Sequence, residues 1–194
     1  VIFTSDNGPV LNDGYEDGAD RLLNGHKPSG VYRGGKYSAY EAGTRMPTII
    51  RWVKRINPGV SDALLSQVDF YASFAKLLGT DISEDEAIDS LNMLPAFMGN
   101  STKGRDYMIE ESVATLSLRM GQWKYIEPTS EREKNRNTWV KTDKDIEGGF
   151  NAEEQLYNLE DDAGEMDNII YKHPDIVKIM KQKLQDLRQN GFRN

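Results

Sequence analysis

Between Ser5 and Arg45 the sequence sustains neither the alternation of a strand nor the spacing of a helix. This is the strongest constraint on what the chain can fold into. So long a stretch without regular structure is uncommon inside a compact domain unless it builds a site or is disordered. It is entered from Val1-Ile2-Phe3-Thr4, a β-branched and aromatic run that predicts a buried strand. That run stops at Ser5-Asp6-Asn7-Gly8-Pro9, a dense set of turn residues. The stretch is left through residues 47–53, where Ile49, Ile50, Trp52 and Val53 predict a second strand. Polar residues that follow the carboxyl end of a buried strand stand where open α/β sheets bind ligands.

The remaining elements are more regular. Phe70, Phe74, Leu77 and Leu78 recur at helical spacing, and Gly79 is a natural left-handed terminator. Residues 80–104 are polar and loop-like. From residue 105 onward the pattern changes to short strands, at Tyr107–Glu111, 115–120, Trp123–Ile126 and 154–159. The second and third of these are joined by Gly121-Gln122, a hairpin-sized connection. Residues 130–149 are charged and read as an exposed, partly disordered insert. Ile176, Met180, Leu184 and Leu187 line one face of a last helix that starts at Pro174 and ends at Asn190-Gly191. Three zones follow by composition, 1–46, 47–104 and 105–194.

Charge excludes some classes of function. A formal net charge of −7 argues against general nucleic-acid binding, where a basic face is expected. It leaves an anionic substrate open, because a few local cations outweigh distant charge. The mean hydropathy is −0.65, and no apolar run approaches the ~20 residues of a membrane-spanning helix. There is no cysteine, so the chain holds no disulfide, no thiolate metal site and no cysteine-derived nucleophile. Its first residue, Val1, stands inside a strand-like run, so the sequence reads as the C-terminal part of a longer protein whose targeting segment would precede it.

Three groups could carry chemistry. Asp6 and Asn7 set a carboxylate beside a carboxamide, two hard oxygen donors suited to Ca²⁺, with Mg²⁺ as the alternative; taken alone, the tetrapeptide is also an ordinary turn. Arg33-Gly34-Gly35-Lys36 offers close backbone approach and a point charge for an anion; taken alone, it is a glycine turn with a solvated lysine. His26 lies in the same stretch, where a lone histidine is also a plain surface residue.

In combination the motifs say more. Strand–Ser-Asp-Asn-Gly, the irregular stretch, and Gly35-Lys36 leading to Glu41-Ala42-Gly43-Thr44-Arg45-Met46-Pro47 together resemble the C-terminal half of the signature of type I, formylglycine-dependent sulfatases. The usual form has Glu-Gly-Gly where this chain has Glu41-Ala42-Gly43. Leu118-Arg119-Met120-Gly121-Gln122-Trp123-Lys124-Tyr125 is similar to the family's Arg-x-Gly-x-Trp-Lys hairpin. Gln155-Leu156-Tyr157-Asn158-Leu159, followed by Asp162 and Asp167-Asn168, is similar to its Glu-Leu-Tyr-Asp-Leu segment. Segment 24–28 resembles a stretch of sulfatases from carbohydrate-degrading bacteria.

The resemblance implies an α/β fold, namely the C-terminal part of an alkaline-phosphatase-like sandwich (1–104) followed by a small antiparallel sheet with one packed helix (105–194). It implies a sulfuric ester hydrolase acting on a sulfated sugar, in a periplasmic or secreted setting. Asp6 and Asn7 match the second pair of Ca²⁺ ligands. Lys36 matches the lysine that contacts the sulfate and steadies charge on the leaving oxygen. Glu41 and Arg45 are expected to brace the loop, and His26 and Arg33 to touch the sugar or leaving group. The formylglycine nucleophile comes from a Cys/Ser-x-Pro/Ala-x-Arg motif absent here, so this chain alone is expected to be inactive. It is also expected to self-associate through an uncovered strand edge. The rival readings are a phosphodiesterase or phosphonate hydrolase on the same scaffold, and a non-catalytic module that binds sulfated glycans.

Overall fold

The computed structural model describes residues 1–10, 17–19, 21–83, 85–130 and 148–190. Most of the expected insert, 131–147, lies outside these residues, as do parts of the irregular stretch (11–16 and 20) and Gly191. The chain divides into two compact units. The first is Val1–Phe3, Ile49–Met108 and Gln182–Asn194; the second is Thr4–Thr48 and Ile109–Lys181.

In the first unit β1 (Ile2–Phe3) pairs antiparallel with β2 (Ile49–Ile50), Ile2 opposite Ile50. Two strand-forming runs therefore meet as expected, but each is shorter than its apolar run. The expectation of a buried strand does not hold: Val1 is 89% exposed and Phe3 64%. Two strands bury too little by themselves, and among the described residues no third strand pairs with them.

The short helix α1 (Glu41–Thr44) lies in the second unit. In the first, helix α2 (Asp69–Leu78) closes at Gly79, whose φ of 69° lets its own N–H and that of Thr80 reach back to Lys76 O and Ala75 O. The apolar stripe that predicts this helix is not its buried face. Asp69, Ala72 and Ser73 are buried, while Phe74 and Leu77 are each 40% exposed and line an open apolar cleft of about 210 Å³ with Ile2, Ile50 and Trp52. Phe70 stacks on Phe97 at 4.8 Å between ring centroids. Phe97 belongs to α3 (Leu94–Phe97), a four-residue helix with a proline in its first turn, inside a segment whose composition reads as loop.

A four-stranded sheet has the order β3 (Tyr107–Glu111), β4 (Leu116–Met120), β5 (Trp123–Ile126), β6 (Gln155–Asn158), and from Ile109 onward its residues belong to the second unit. The β4–β5 and β5–β6 pairs are antiparallel. Gly121 takes φ 56° in the β4–β5 turn, a conformation that a side chain would strain. Registration puts Arg119, Lys124 and Tyr157 in one row across the sheet, and Ser117, Ile126 and Gln155 in the next row of the same face. Ala39, Tyr40, Ile126, Tyr157 and the partly buried Leu159 form an apolar cluster there. The opposite face carries the row Leu118, Tyr125 and Leu156, all buried.

A 3₁₀ turn (Ile170–Lys172) leads into α4 (Pro174–Asn190). Met180, Leu184 and Leu187 of its apolar stripe are buried as the period predicts, with Val177 rather than Ile176 beginning the buried row. Among the described residues no helix is long and apolar enough to cross a membrane.

Candidate functional site

The site lies in the second unit and starts where the Ser5–Pro9 turn meets the 33–45 loop. The two segments are joined through backbone. Gly8 N–H donates to Gly43 O at 3.1 Å, and Lys36 N–H donates to Pro9 O at 3.1 Å. The approach is so close that a Cβ on Gly8 would stand 1.7 Å from Ala42 O. Gly43 is equally committed, since a Cβ there would meet Ser38 O at 2.2 Å. These glycines serve the packing of one loop segment on another. Gly34 serves differently, by taking φ 88°.

This packing brings the Asp6-Asn7 pair to the loop that carries Lys36. Asp6 is exposed and Asn7 half-buried. Asn7 Nδ2 donates to Gly8 O at 2.9 Å, and its carboxamide oxygen receives no hydrogen bond from the described residues. The donor set present is thus one accessible carboxylate and one carboxamide oxygen, both hard and suited to Ca²⁺ or Mg²⁺. Among the described residues no group of three or more acidic or histidine side chains is placed to hold a metal ion. The pair fits part of a cation's coordination shell, and the other ligands would come from outside it. Lys36 is half-buried, with its ammonium 5.1 Å from the centroid of the Tyr37 ring.

His26 is exposed, with its backbone N–H bonded to Leu23 O at 2.7 Å. Arg33 is half-buried. Its guanidinium lies 4.3 Å from the Tyr40 ring centroid and donates to Glu165 O at 2.7 Å. Arg45 pairs with Glu41 at 3.1 Å and lies over the Tyr32 ring, which is a bracing contact within the loop.

Behind the loop stands a group of charges that motif reading singled out only in part. Lys124, with no exposed side-chain area, lies 3.0 Å from Glu41 Oε1, 2.9 Å from Glu110 Oε2 and 3.7 Å from Glu165 Oε1. Arg119 lies 3.4 Å from Glu41 Oε2. Glu41 also receives Arg45, and its own N–H donates to Glu165 Oε2 at 2.6 Å. Burial alone would lower the Lys124 pKa, but Glu110, Glu165 and Glu41 together outweigh it and hold the ammonium above its usual range. Burial likewise pushes Glu41 up, and Lys124 and Arg119 overcome this, leaving it below the ordinary carboxylate value. Glu165 goes the other way. Burial raises it to about 7, with Glu41 and Glu110 adding to the rise against Lys124 and the Glu41 N–H. Its Oε1 has no hydrogen-bond partner among the described residues. One sequence signal could have found this group: a lysine at the same-face position as Ile126 in an otherwise apolar strand.

Residues 1–80 match the family model described as Sulfatase. An N-acetylgalactosamine-6-O-sulfatase of Bacteroides thetaiotaomicron is 44% identical over 189 residues, which cover 97% of this chain and 36% of that protein. The chain belongs to the sulfatase family. Another relative, the N-acetylgalactosamine-6-sulfatase of Canis lupus familiaris, is 32% identical over 125 residues, 64% of this chain and 22% of that enzyme. A solved structure from a glycosaminoglycan-metabolism locus of B. thetaiotaomicron superposes with a TM-score of 0.88 at 42% identity, over 98% of this chain and 38% of that one. The mixed α/β architecture, with antiparallel sheets and few helices, is therefore that of a sulfatase's C-terminal part. This sulfatase-family chain spans little more than a third of the length of these two bacterial proteins.

Proposed function

We propose that the protein to which this chain belongs hydrolyses sulfate esters of sugars, and that this chain supplies part of its cation site and sulfate site. The observation that carries the reading is the backbone union of the Asp6–Pro9 turn with the Lys36–Gly43 loop. Through Lys36 N–H to Pro9 O and Gly8 N–H to Gly43 O, two oxygen donors and one ammonium stand on a single rigid base. Positive charge beside a sulfate ester is what such a reaction needs, because nucleophile and substrate otherwise repel each other.

In this reading Asp6 and Asn7 hold Ca²⁺, or Mg²⁺ in its place, together with ligands from the rest of the protein. A cation held there would supply Lewis-acid polarisation of the sulfate oxygens, and the attacking oxygen would come from a formylglycine outside this chain. Lys36 donates to the sulfate and to the leaving oxygen, where charge accumulates as the S–O bond breaks. His26 contacts the sugar from the exposed side. Arg33 contacts it at the edge of the site, with one N–H already committed to Glu165 O. The names of the bacterial and canine relatives support a 6-O-sulfated amino sugar as the first substrate to assay. Such a substrate is met in the periplasm or outside the cell. With respect to that whole protein, residues 1–104 are the tail of the large domain and residues 105–194 its small subdomain. The exposed Val1, Phe3 and Ile49 support self-association when the chain stands alone.

The test is sulfate release from 6-O-sulfo-N-acetylgalactosamine by the full-length protein. Lys36→Ala should abolish turnover while leaving a Ca²⁺-dependent rise in melting temperature. Asp6→Ala should abolish that rise as well. Hydrolysis of a phosphodiester in preference to the sulfate would overturn the reading.

A further inference from the structure

Tyr37 holds a backbone conformation that its side chain opposes. Its φ is 78°, in the left-handed region where a bulky aromatic residue is a true outlier. Among the described residues four other non-glycine residues have positive φ, one of them Asn24, which tolerates it. Strain of this kind persists only where the surroundings impose it. Here both neighbours are fixed: Lys36 N–H is bonded to Pro9 O, and Ser38 N–H to Gly35 O. Glycine at position 37 would meet the same constraints without strain.

Packing does not compensate for the strain. The Tyr37 residue is 43% exposed, so its ring is not a core side chain. What the ring does contact is the ammonium of Lys36, 5.1 Å from its centroid. An aromatic ring has two faces, and a cation occupies one. The other is a flat, apolar, rigid surface next to the group assigned to the sulfate. The C–H face of a pyranose ring is also flat and apolar, and stacks on such a surface.

We propose that Tyr37 is a substrate-contacting, specificity-determining residue: its ring forms the wall on which the sugar stacks while Lys36 beside it takes the sulfate. The proposal rests on the sulfatase reading above and adds a residue to that site. The strained backbone is what holds the ring at the site, and the exposure is what leaves it open to substrate.

The experiment compares wild type, Tyr37→Gly and Tyr37→Phe in the full-length protein, reading KM and kcat for 6-O-sulfo-N-acetylgalactosamine together with melting temperature. Tyr37→Gly should raise KM about tenfold with kcat little changed. Its melting temperature should stay level or rise, because the strain is gone. Tyr37→Phe should restore the lost KM, since it keeps the ring. An unchanged KM in Tyr37→Gly, or a fall in kcat and melting temperature together, would overturn the proposal and make Tyr37 a structural residue. If wild type itself releases no sulfate, the sulfatase reading fails and this proposal falls with it, an outcome separate from the other two.

Discussion

Lys124 Nζ lies 3.0 Å from Glu41 Oε1, and neither side chain has appreciable contact with solvent. One partner comes from a sheet strand and the other from the loop that carries Lys36. A buried lysine is tolerable only where carboxylates surround it, and here there are three. Arg119 and Arg45 bring the cations to the same number as the carboxylates. The loop that presents Lys36 is thus fastened from behind by charge and from the front by the backbone bonds to Gly8 and Pro9.

Lys124→Met should be strongly destabilising. Methionine matches the stem of lysine in length, so the loss is chiefly electrostatic. It leaves Glu41, Glu110 and Glu165 in a buried site without their central cation. Breaking such a pair from one side costs about 3–5 kcal/mol. Urea unfolding should show this loss, and adding Glu41→Gln should recover part of it. A single variant within about 1 kcal/mol of wild type would show that the network is not balanced as described.

Glu165 should make stability fall as pH rises. Its folded-state pKa, about 7, stands above the ordinary 4.5. Between those values the folded protein holds a proton that the unfolded chain has released. The stabilisation is therefore complete below the unfolded value and is lost as pH rises through the folded one. The groups facing it are Lys124, Glu41 and Glu110. Glutamine keeps an oxygen for the Glu41 N–H and cannot ionise, so Glu165→Gln should flatten the melting-temperature profile between about pH 5 and pH 8. Parallel profiles for variant and wild type would refute the assignment.

The regular elements were legible in the sequence because their periods are local. The alternation of 115–126 and the Gly121-Gln122 turn predict β4 and β5, and Gly79 predicts the end of α2. What could not be read was which faces are covered. Phe74 and Leu77 form an apolar stripe, yet they are exposed, because burial depends on what lies across from a face. The short α3 was missed because four residues carry no period. At the site, motif order named Asp6, Asn7 and Lys36, but not the bonds that join them. Gly8 and Gly43 read as turn residues, and their close approach is a tertiary fact. Lys124 sat in plain view within the Trp-Lys-Tyr strand, but its three carboxylates come from separate parts of the chain.

Asp69 anchors the first unit. Arg105 grips it at both oxygens, 2.8 and 2.5 Å, and the N–H groups of Ser66 and Leu91 complete its shell. The charge is buried, fully paired and hydrogen-bonded, so Asp69→Asn removes a bidentate ion pair and strands the guanidinium. A loss of about 3–5 kcal/mol is expected. Calorimetry on the variant decides it, and an unchanged melting temperature would mean that the clamp contributes nothing.

Gly8→Ala is the sharpest test of how the site is built. A methyl group at position 8 cannot coexist with Ala42 O at 1.7 Å, and that oxygen belongs to backbone, which cannot swing aside. The Ser5–Pro9 turn must therefore part from the 36–43 loop, straining or breaking the Gly8–Gly43 and Lys36–Pro9 hydrogen bonds. Asp6 and Asn7 would move relative to Lys36 with no functional atom altered. Displacement of about 1 Å in a catalytic constellation can cost about 100-fold in rate. In the full-length protein Gly8→Ala should lower kcat/KM by about that factor and weaken the Ca²⁺-dependent rise in melting temperature. Gly25→Ala is the control, because a Cβ there meets nothing within 4 Å, although its φ of 84° adds local strain. Equal losses in the two variants would mean that general strain, and not the union of turn and loop, sets the activity.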